Sequence, residues 1–217
     1  MPQVDKVYLS EKEKYTLLWS SIPEYREASA ADLLAPAFLS YFHTQIQPGQ
    51  RIIDFGCGTG RSTLPFLSKG LQVDLVDFAK PCLDPEIFLL TASRKAFFWE
   101  ACLWNLPEQL PSADWIVCFD VLEHLPEEKI GAALQGMAQK MKRGGLFSID
   151  LRKDRFGSEI GDDLHLTLKP KEWWHKQVSA SFHIIEELAR EDGCLIYSVH
   201  WKVGQTSYDG AQNFDQA

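Results

Sequence analysis

The stretch Arg51-Ile-Ile-Asp-Phe-Gly-Cys-Gly-Thr-Gly60 constrains this chain more than any other. A short apolar run ends in Asp54, glycines follow at alternate positions (Gly56, Gly58 and Gly60), and Arg61-Ser62-Thr63-Leu64 reads as a helix start. A strand, a glycine turn and a helix in this order bring backbone N–H groups and a helix N-terminus close to a polar ligand. Glycine is required because the turn needs unusual φ/ψ and a Cβ would hold the ligand off. The spacing excludes two ligand types. The dinucleotide fingerprint G-x-G-x-x-G fails, because Arg61 or Thr63 falls where its last glycine belongs. The phosphate loop G-x-x-x-x-G-K-[ST] fails for want of a lysine after a suitable glycine.

Strands and helices alternate around this motif. The first 50 residues read as helical. Tyr15, Leu18, Trp19 and Ile22 recur at helical spacing, as do Leu33, Leu34, Ala37, Phe38, Tyr41 and Phe42, and Pro48-Gly49 ends the segment. Strands are expected at 71–76, closing on Asp77-Phe78, at 96–100, and at 115–119, an apolar run suited to a parallel sheet covered on both faces. A helix opening at Pro126 carries Ile130, Ala133, Leu134, Met137 and Met141 on one face. Lys140, Lys142 and Arg143 are expected in its last turn, with Gly144-Gly145 as its stop. A strand at 146–150, a polar loop at 152–163, a helix from Pro170 and a hairpin of 183–188 and 194–201 complete the pattern.

The expected fold class is therefore α/β, a doubly wound sheet in one domain. Its parts are a helical segment 1–48 capping the site, a ligand-binding domain 49–203 and a frayed tail 204–217. A length of 217 residues, 45% hydrophobic, suits one such domain and not two. No run of about 18 apolar residues and no charged-then-apolar leader stands in the sequence, so a soluble, cytoplasmic protein without a membrane span is expected. Five scattered cysteines, at 57, 82, 102, 118 and 194, include no C-x-x-C pair and suit reduced thiols in a cytosol. A net charge of −8 argues against a broad nucleic-acid surface, which needs clustered Lys and Arg to neutralise phosphates.

The surviving pattern at 54–60, D-x-G-x-G-x-G, resembles motif I of the class I S-adenosylmethionine (SAM) dependent methyltransferases. The resemblance implies a Rossmann-like sheet of seven strands with a C-terminal antiparallel hairpin. It also implies a cofactor loop of Asp54, Gly56, Cys57, Gly58 and Gly60. About 20 residues on, Asp77 closes the second strand where an acid can accept hydrogen bonds from both ribose hydroxyls, with Phe78 beside it. Asp74 competes for that role but falls within the strand. In the stretch 100–107 the family often has Gly-Asp-Ala-x-x-Leu-Pro, whose Asp reaches the adenine amino group. Aligned on Leu106-Pro107, this chain departs from that pattern with Cys102. Adenine would then rest on the backbone of Cys102 and Leu103, with Trp104 as a ring neighbour; ordinary core packing is the competing reading. Cys118-Phe-Asp-Val-Leu-Glu-His-Leu-Pro126 resembles the D-V-L-E-H-x-P form of motif IV found among small-molecule methyltransferases, including the ubiquinone-biosynthesis O-methyltransferases. It implies Phe119 and Asp120 against the cofactor, and Glu123 and His124 facing the acceptor. Arg26 is a candidate clamp for the cofactor carboxylate.

Two chemistries suit Glu123 and His124. An imidazole ionising near neutrality can take the proton of an attacking hydroxyl. Alternatively, Asp120, Glu123 and His124, with His165 as a later ligand, form a divalent-metal set like the Glu-x-x-Glu-His of the ubiquinone enzymes and of small-RNA terminal 2′-O-methyltransferases. The general base is the reading preferred here, with no metal required. The sequence thus leads to a SAM-dependent methyltransferase acting on a hydroxyl of a small molecule or sugar-containing metabolite, with S-adenosylhomocysteine (SAH) as product. The alternatives are a metal-dependent RNA 2′-O-methyltransferase and a SAM-binding protein without catalysis. The fold hosts many acceptors, so it does not name one.

Overall fold

The apolar runs and amphipathic segments condense into one seven-stranded sheet covered on both faces. The computed structural model describes residues 6–27, 29–191 and 193–200; the expected tail 204–217 lies outside them. In chain order the strands are β1 (Arg51–Phe55), β2 (Gln72–Asp77), β3 (Phe97–Glu100), β4 (Ala113–Phe119), β5 (Met141–Asp150), β6 (His183–Ala189) and β7 (Cys194–His200). The helices are α1 (Lys6–Ser21), α2 (Pro23–Glu27), α3 (Ala31–Tyr41), α4 (Thr63–Ser68), α5 (Pro85–Ala92), α6 (Glu127–Lys140), α7 (Gly157–Ile160) and α8 (Lys171–Ser181). The strand order is β3-β2-β1-β4-β5-β7-β6. Strands β1 to β5 pair in parallel, and β7 enters antiparallel between β5 and β6. This is the α/β class I methyltransferase fold.

Strand β4 shows how an unbroken apolar run serves two layers. Ile116 and Cys118 join the core beneath α6 and α8, while Trp115, Val117 and Phe119 join the opposite core beneath α3 and α4. Alternate side chains point to opposite faces, so both faces must be apolar when both are covered. Helix α3 belongs to this architecture more than to a cap. Leu34, Ala35 and Phe38 are buried in the second core. Helices α1 and α2 lie over the site, with Ala31 at the start of α3 at its edge, and Tyr15, Leu18 and Ile22 pack with Ala79 and Leu164 in a third, small cluster.

The end of α6 differs from the expectation. The helix stops at Lys140, and Met141, Lys142, Arg143, Gly144 and Gly145 all belong to β5. Met141 pairs with Ala113 and Gly144 with Trp115, so three steps along β5 match two along β4 and a bulge falls at Lys142-Arg143. The glycine pair is not a helix stop. A Cβ on Gly144 would lie 2.7 Å from the Val199 carbonyl oxygen, and one on Gly145 would collide with the Ile116 carbonyl. Close approach of the neighbouring strands requires glycine there. The polar segment 152–163 likewise contains a helical turn, α7, nucleated where Asp154 Oδ1 accepts from Phe156 N and Gly157 N at 2.5 and 2.9 Å.

Candidate active site

The chain leaves β1 toward β2 on one side and reaches β4 and β5 on the other, so the sheet has its switch point between β1 and β4. Loops diverge there and leave a crevice at the C-terminal strand ends. A cavity of about 510 Å³ fills that crevice. Its walls come from the glycine loop, the ends of β2 and β4, the segments 102–104 and 150–156, and the N-terminal helices.

One half is built on the glycine loop. Gly56 sits at φ +72°, and a Cβ there would lie 2.5 Å from the methyls of Val121. Asp77 is buried at the end of β2. Its Oδ2 accepts from Gly58 N at 3.1 Å and its Oδ1 from Ala79 N at 3.0 Å, which aims the carboxylate across the loop into the cavity. Burial pushes its pKa up to about 6, although hydrogen bonds from backbone N–H groups pull the other way. Asp54 is held up at about 7 by burial, and Ser62 Oγ donates to it. Cys57, Gly58, Thr59 and Phe78 also line this half. Gly60 does not; a Cβ there would meet Ile87 Cγ2 at 2.7 Å, so the third glycine admits α5 rather than a ligand. Asp74 is committed elsewhere, paired with Arg51 and accepting from Trp99 Nε1 at 2.6 Å.

Cys102, Leu103, Trp104 and Phe119 all border the cavity. Leu103 and Phe119 are buried, and Lys129 stands 5.6 Å over the Trp104 ring. Arg26 reaches the rim, but its guanidinium donates to the carbonyl oxygens of Pro81, Cys82 and Leu83 at 3.1, 2.8 and 3.0 Å and pairs with Asp84. The guanidinium expected to clamp a carboxylate is thus spent holding α2 against the segment 81–84.

The other half centres on the 3₁₀ turn Leu122–His124. This tight turn separates two neighbours that were expected to face the cavity together. His124 lines it; Glu123 is fully buried beneath, with Oε1 accepting from Asp150 N at 2.9 Å and Oε2 without a hydrogen-bond partner among the described residues. Burial and the nearby Asp120 raise the Glu123 pKa well above its ordinary value. His124 Nδ1 lies 3.0 Å from the Leu164 carbonyl oxygen, and burial with the neighbouring His165 lowers its pKa to about 3. Burial here works against the ionisation near neutrality expected of a general base and favours the neutral imidazole. His165 stands edge-on to it, ring centroids 4.6 Å apart, with Nδ1 2.6 Å from the Arg152 carbonyl oxygen. One ligand atom from each of Glu123, His124 and His165 lies within 4.8 Å of the others. Asp120, the fourth expected member, stands outside this group; at φ +51° its carboxylate accepts from Ser148 Oγ at 2.6 Å.

The segment expected to cap the site supplies most of the cavity's roof, although the sequence did not mark which of its residues face inward. Tyr15 and Trp19 from α1, Tyr25 from α2 and Phe156 form an aromatic wall over the His124 half. Trp19 and Tyr25 rings are 4.6 Å apart, and Tyr25 and Phe156 5.4 Å. Their helical spacing announced a buried stripe, and a stripe facing a core looks the same in sequence as one facing a cavity.

The fold is the one class I SAM-dependent methyltransferases share, and the crevice lies where such a sheet binds its ligand. Residues 53–147 match the family model described as a methyltransferase domain. Among similar proteins, the ubiquinone biosynthesis O-methyltransferase of Idiomarina loihiensis is 30% identical over 105 residues, covering 48% of this chain and 42% of that protein. That of Dechloromonas aromatica is 29% identical over 129 residues, covering 57% and 55%. The chain spans about half the length of these curated relatives. Two solved structures share the fold. One is Burkholderia thailandensis 1,6-didemethyltoxoflavin-N1-methyltransferase, solved with bound 1,6-didemethyltoxoflavin and SAH (TM-score 0.69, 17% identity, 93% of this chain and 92% of that one). The other is magnesium protoporphyrin IX methyltransferase from Synechocystis, with bound SAH (TM-score 0.61, 17% identity, 93% and 90%).

Proposed function

We propose that the protein binds SAM along the glycine loop and transfers its methyl group to a hydroxyl oxygen of a small acceptor held in the His124 half. The observation that carries this reading is Asp77. A buried carboxylate, tied by two backbone N–H groups and open to the cavity, suits the paired hydroxyls of a ribose. The adenine is assigned to Cys102, Leu103 and Phe119, and the methionine portion to the loop at Gly56–Gly58 beside Asp54. The sulfonium then faces His124 and the aromatic wall. In the transfer the acceptor oxygen attacks the methyl carbon in line, an O–C bond forms as the S–C bond breaks and its electron pair stays on sulfur, and the hydroxyl proton passes to solvent water. The substrate is assigned to a hydroxyl compound because the curated relatives in this domain are O-methyltransferases. A cytoplasmic location is part of the same proposal. No described helix is long and apolar enough to cross a membrane.

A second feature of the site favours a divalent cation over a base ionising near neutrality. Glu123 Oε2 is buried without a partner, and the two imidazoles each turn Nδ1 to a backbone carbonyl, which leaves Nε2 with its lone pair. That arrangement of histidines is the one metal ligands adopt. Glu123, His124 and His165 would hold the ion. When bound, it would act as a Lewis acid that lowers the pKa of an acceptor hydroxyl. His124, held neutral by its burial, need release no proton to serve as a ligand. The proposal is tested by incubating the protein with methyl-labelled SAM and a panel of hydroxylated small molecules, with and without chelator and added Mg²⁺ or Mn²⁺. Label transfer that chelation removes and metal restores is expected. Transfer unaffected by chelation would remove the cation, and exclusive transfer to nitrogen would remove the hydroxyl acceptor.

A further inference from the structure

Tyr15 projects from α1 into the acceptor half of the cavity and is 6% exposed. Its Oη lies 2.7 Å from His124 Nδ1, and its ring packs edge-on against Phe78 and against His124. The same Nδ1 lies 3.0 Å from the Leu164 carbonyl oxygen. A carbonyl can only accept. If Nδ1 carried no hydrogen, two lone pairs would face each other at that distance and a buried carbonyl would lose its donor, a costly arrangement. Nδ1 therefore carries the hydrogen and shares it between Leu164 O and Tyr15 Oη. The consequence falls on the tyrosine. Its oxygen is an acceptor in this contact, so its own proton must go elsewhere, and no other partner for that hydroxyl exists among the described residues. A phenol keeps its proton at neutral pH.

We propose that Tyr15 is a further acceptor-binding residue: its hydroxyl accepts the Nδ1–H of His124 and donates its own proton to a hydrogen-bond-accepting atom of the bound acceptor. One pair of residues then does two things. His124 is fixed with Nε2 as its lone-pair atom, and Tyr15 marks where a ligand oxygen or nitrogen sits beside the reacting group. This rests on the reading of the cavity as a SAM and acceptor site. It also gives α1 a part in the chemistry, because Tyr15 reaches the site from a helix outside the residues that match the domain model.

The test uses the full chain with ¹⁵N-labelled histidine. Long-range proton–nitrogen correlations report which ring nitrogen of His124 is protonated, the signal being assigned by its loss in His124→Gln. Protonation at Nδ1 is expected; protonation at Nε2 would mean that Tyr15 spends its proton on His124, and would overturn the inference. The second arm titrates 4-nitrophenol, a chromophoric hydroxyl probe, into the SAH complex of wild type and of Tyr15→Phe, which keeps the ring contacts. The variant should bind SAH within about twofold of wild type and the probe about fivefold more weakly, the loss of one hydrogen bond. Equal probe binding, or none to the wild-type complex, would overturn the inference. Failure of wild type to bind SAH would overturn the cofactor reading and this inference with it, whereas SAH binding with Nε2–H would overturn this inference alone.

Discussion

At Asp77 burial and function pull in opposite directions. Its pKa is raised to about 6, so folding favours the protonated form; its contribution to stability is largest at low pH and declines as pH rises from about 4 through about 6. Ribose hydroxyls donate to the charged form, so ligand binding favours deprotonation. The affinity for SAH should therefore rise with pH between about 5 and 7 and then level, and calorimetry over that range checks it. A flat profile would mean that Asp77 is ionised without ligand or lies outside the site. Asp77→Ala should weaken SAH about 30-fold or more, about 2–3 kcal/mol, as expected for losing a charge-assisted pair. His124 behaves oppositely to the sequence expectation. With its pKa near 3, its ring proton signals should not titrate between about pH 8 and 5 in an NMR series, and a midpoint near neutrality would restore the general base. Sequence motifs singled out both residues, which line the cavity, and said nothing of their surroundings. Glycine spacing and Asp77 are local signals, but the burial that sets the His124 pKa comes from contacts far along the chain, with Tyr15 of α1, Leu164 and His165.

At the scale of elements, the same limit explains the misread end of α6. Gly144-Gly145 has the local signature of a helix stop, yet its cause is long-range: the backbones of β4 and β7 close in on either side. Gly145→Ala should therefore act on the sheet and not on the helix. A Cβ forced against the Ile116 carbonyl should cost about 3 kcal/mol, read as a lower Tm by circular dichroism. An unchanged Tm would show that β5 can shift to make room. Arg26 gives a test for α2. If it holds α2 to the segment 81–84, as its four hydrogen bonds there indicate, Arg26→Ala should weaken SAH and 5′-methylthioadenosine alike. A loss confined to SAH, the only one of the two with an amino-acid carboxylate, would restore the clamp. Helix α1 was legible as an apolar stripe within the segment expected to cap the site, but not by which of its residues face the cavity. Tyr15 and Trp19 look in sequence like any pair facing a core, and only the placement of the helix over the crevice gives them a cavity to face.

For the whole molecule, the order of elements was the most legible property. Alternating apolar runs and amphipathic segments give one doubly wound sheet, and the terminal hairpin supplies the antiparallel β7 between β5 and β6. The fold follows from periodicity, and the position of the crevice follows from the fold, because a sheet that reverses between β1 and β4 must open there. The acceptor is less legible, since its wall comes from α1, α2 and the segment 150–156, where no motif constrains the sequence. The central claim is that this crevice is a SAM site, and isothermal titration of SAH into the protein tests it most directly. A single site of micromolar affinity is expected, with NAD and ATP giving no heat of binding at the same concentrations. Absence of SAH binding, or binding of NAD in its place, would contradict the account.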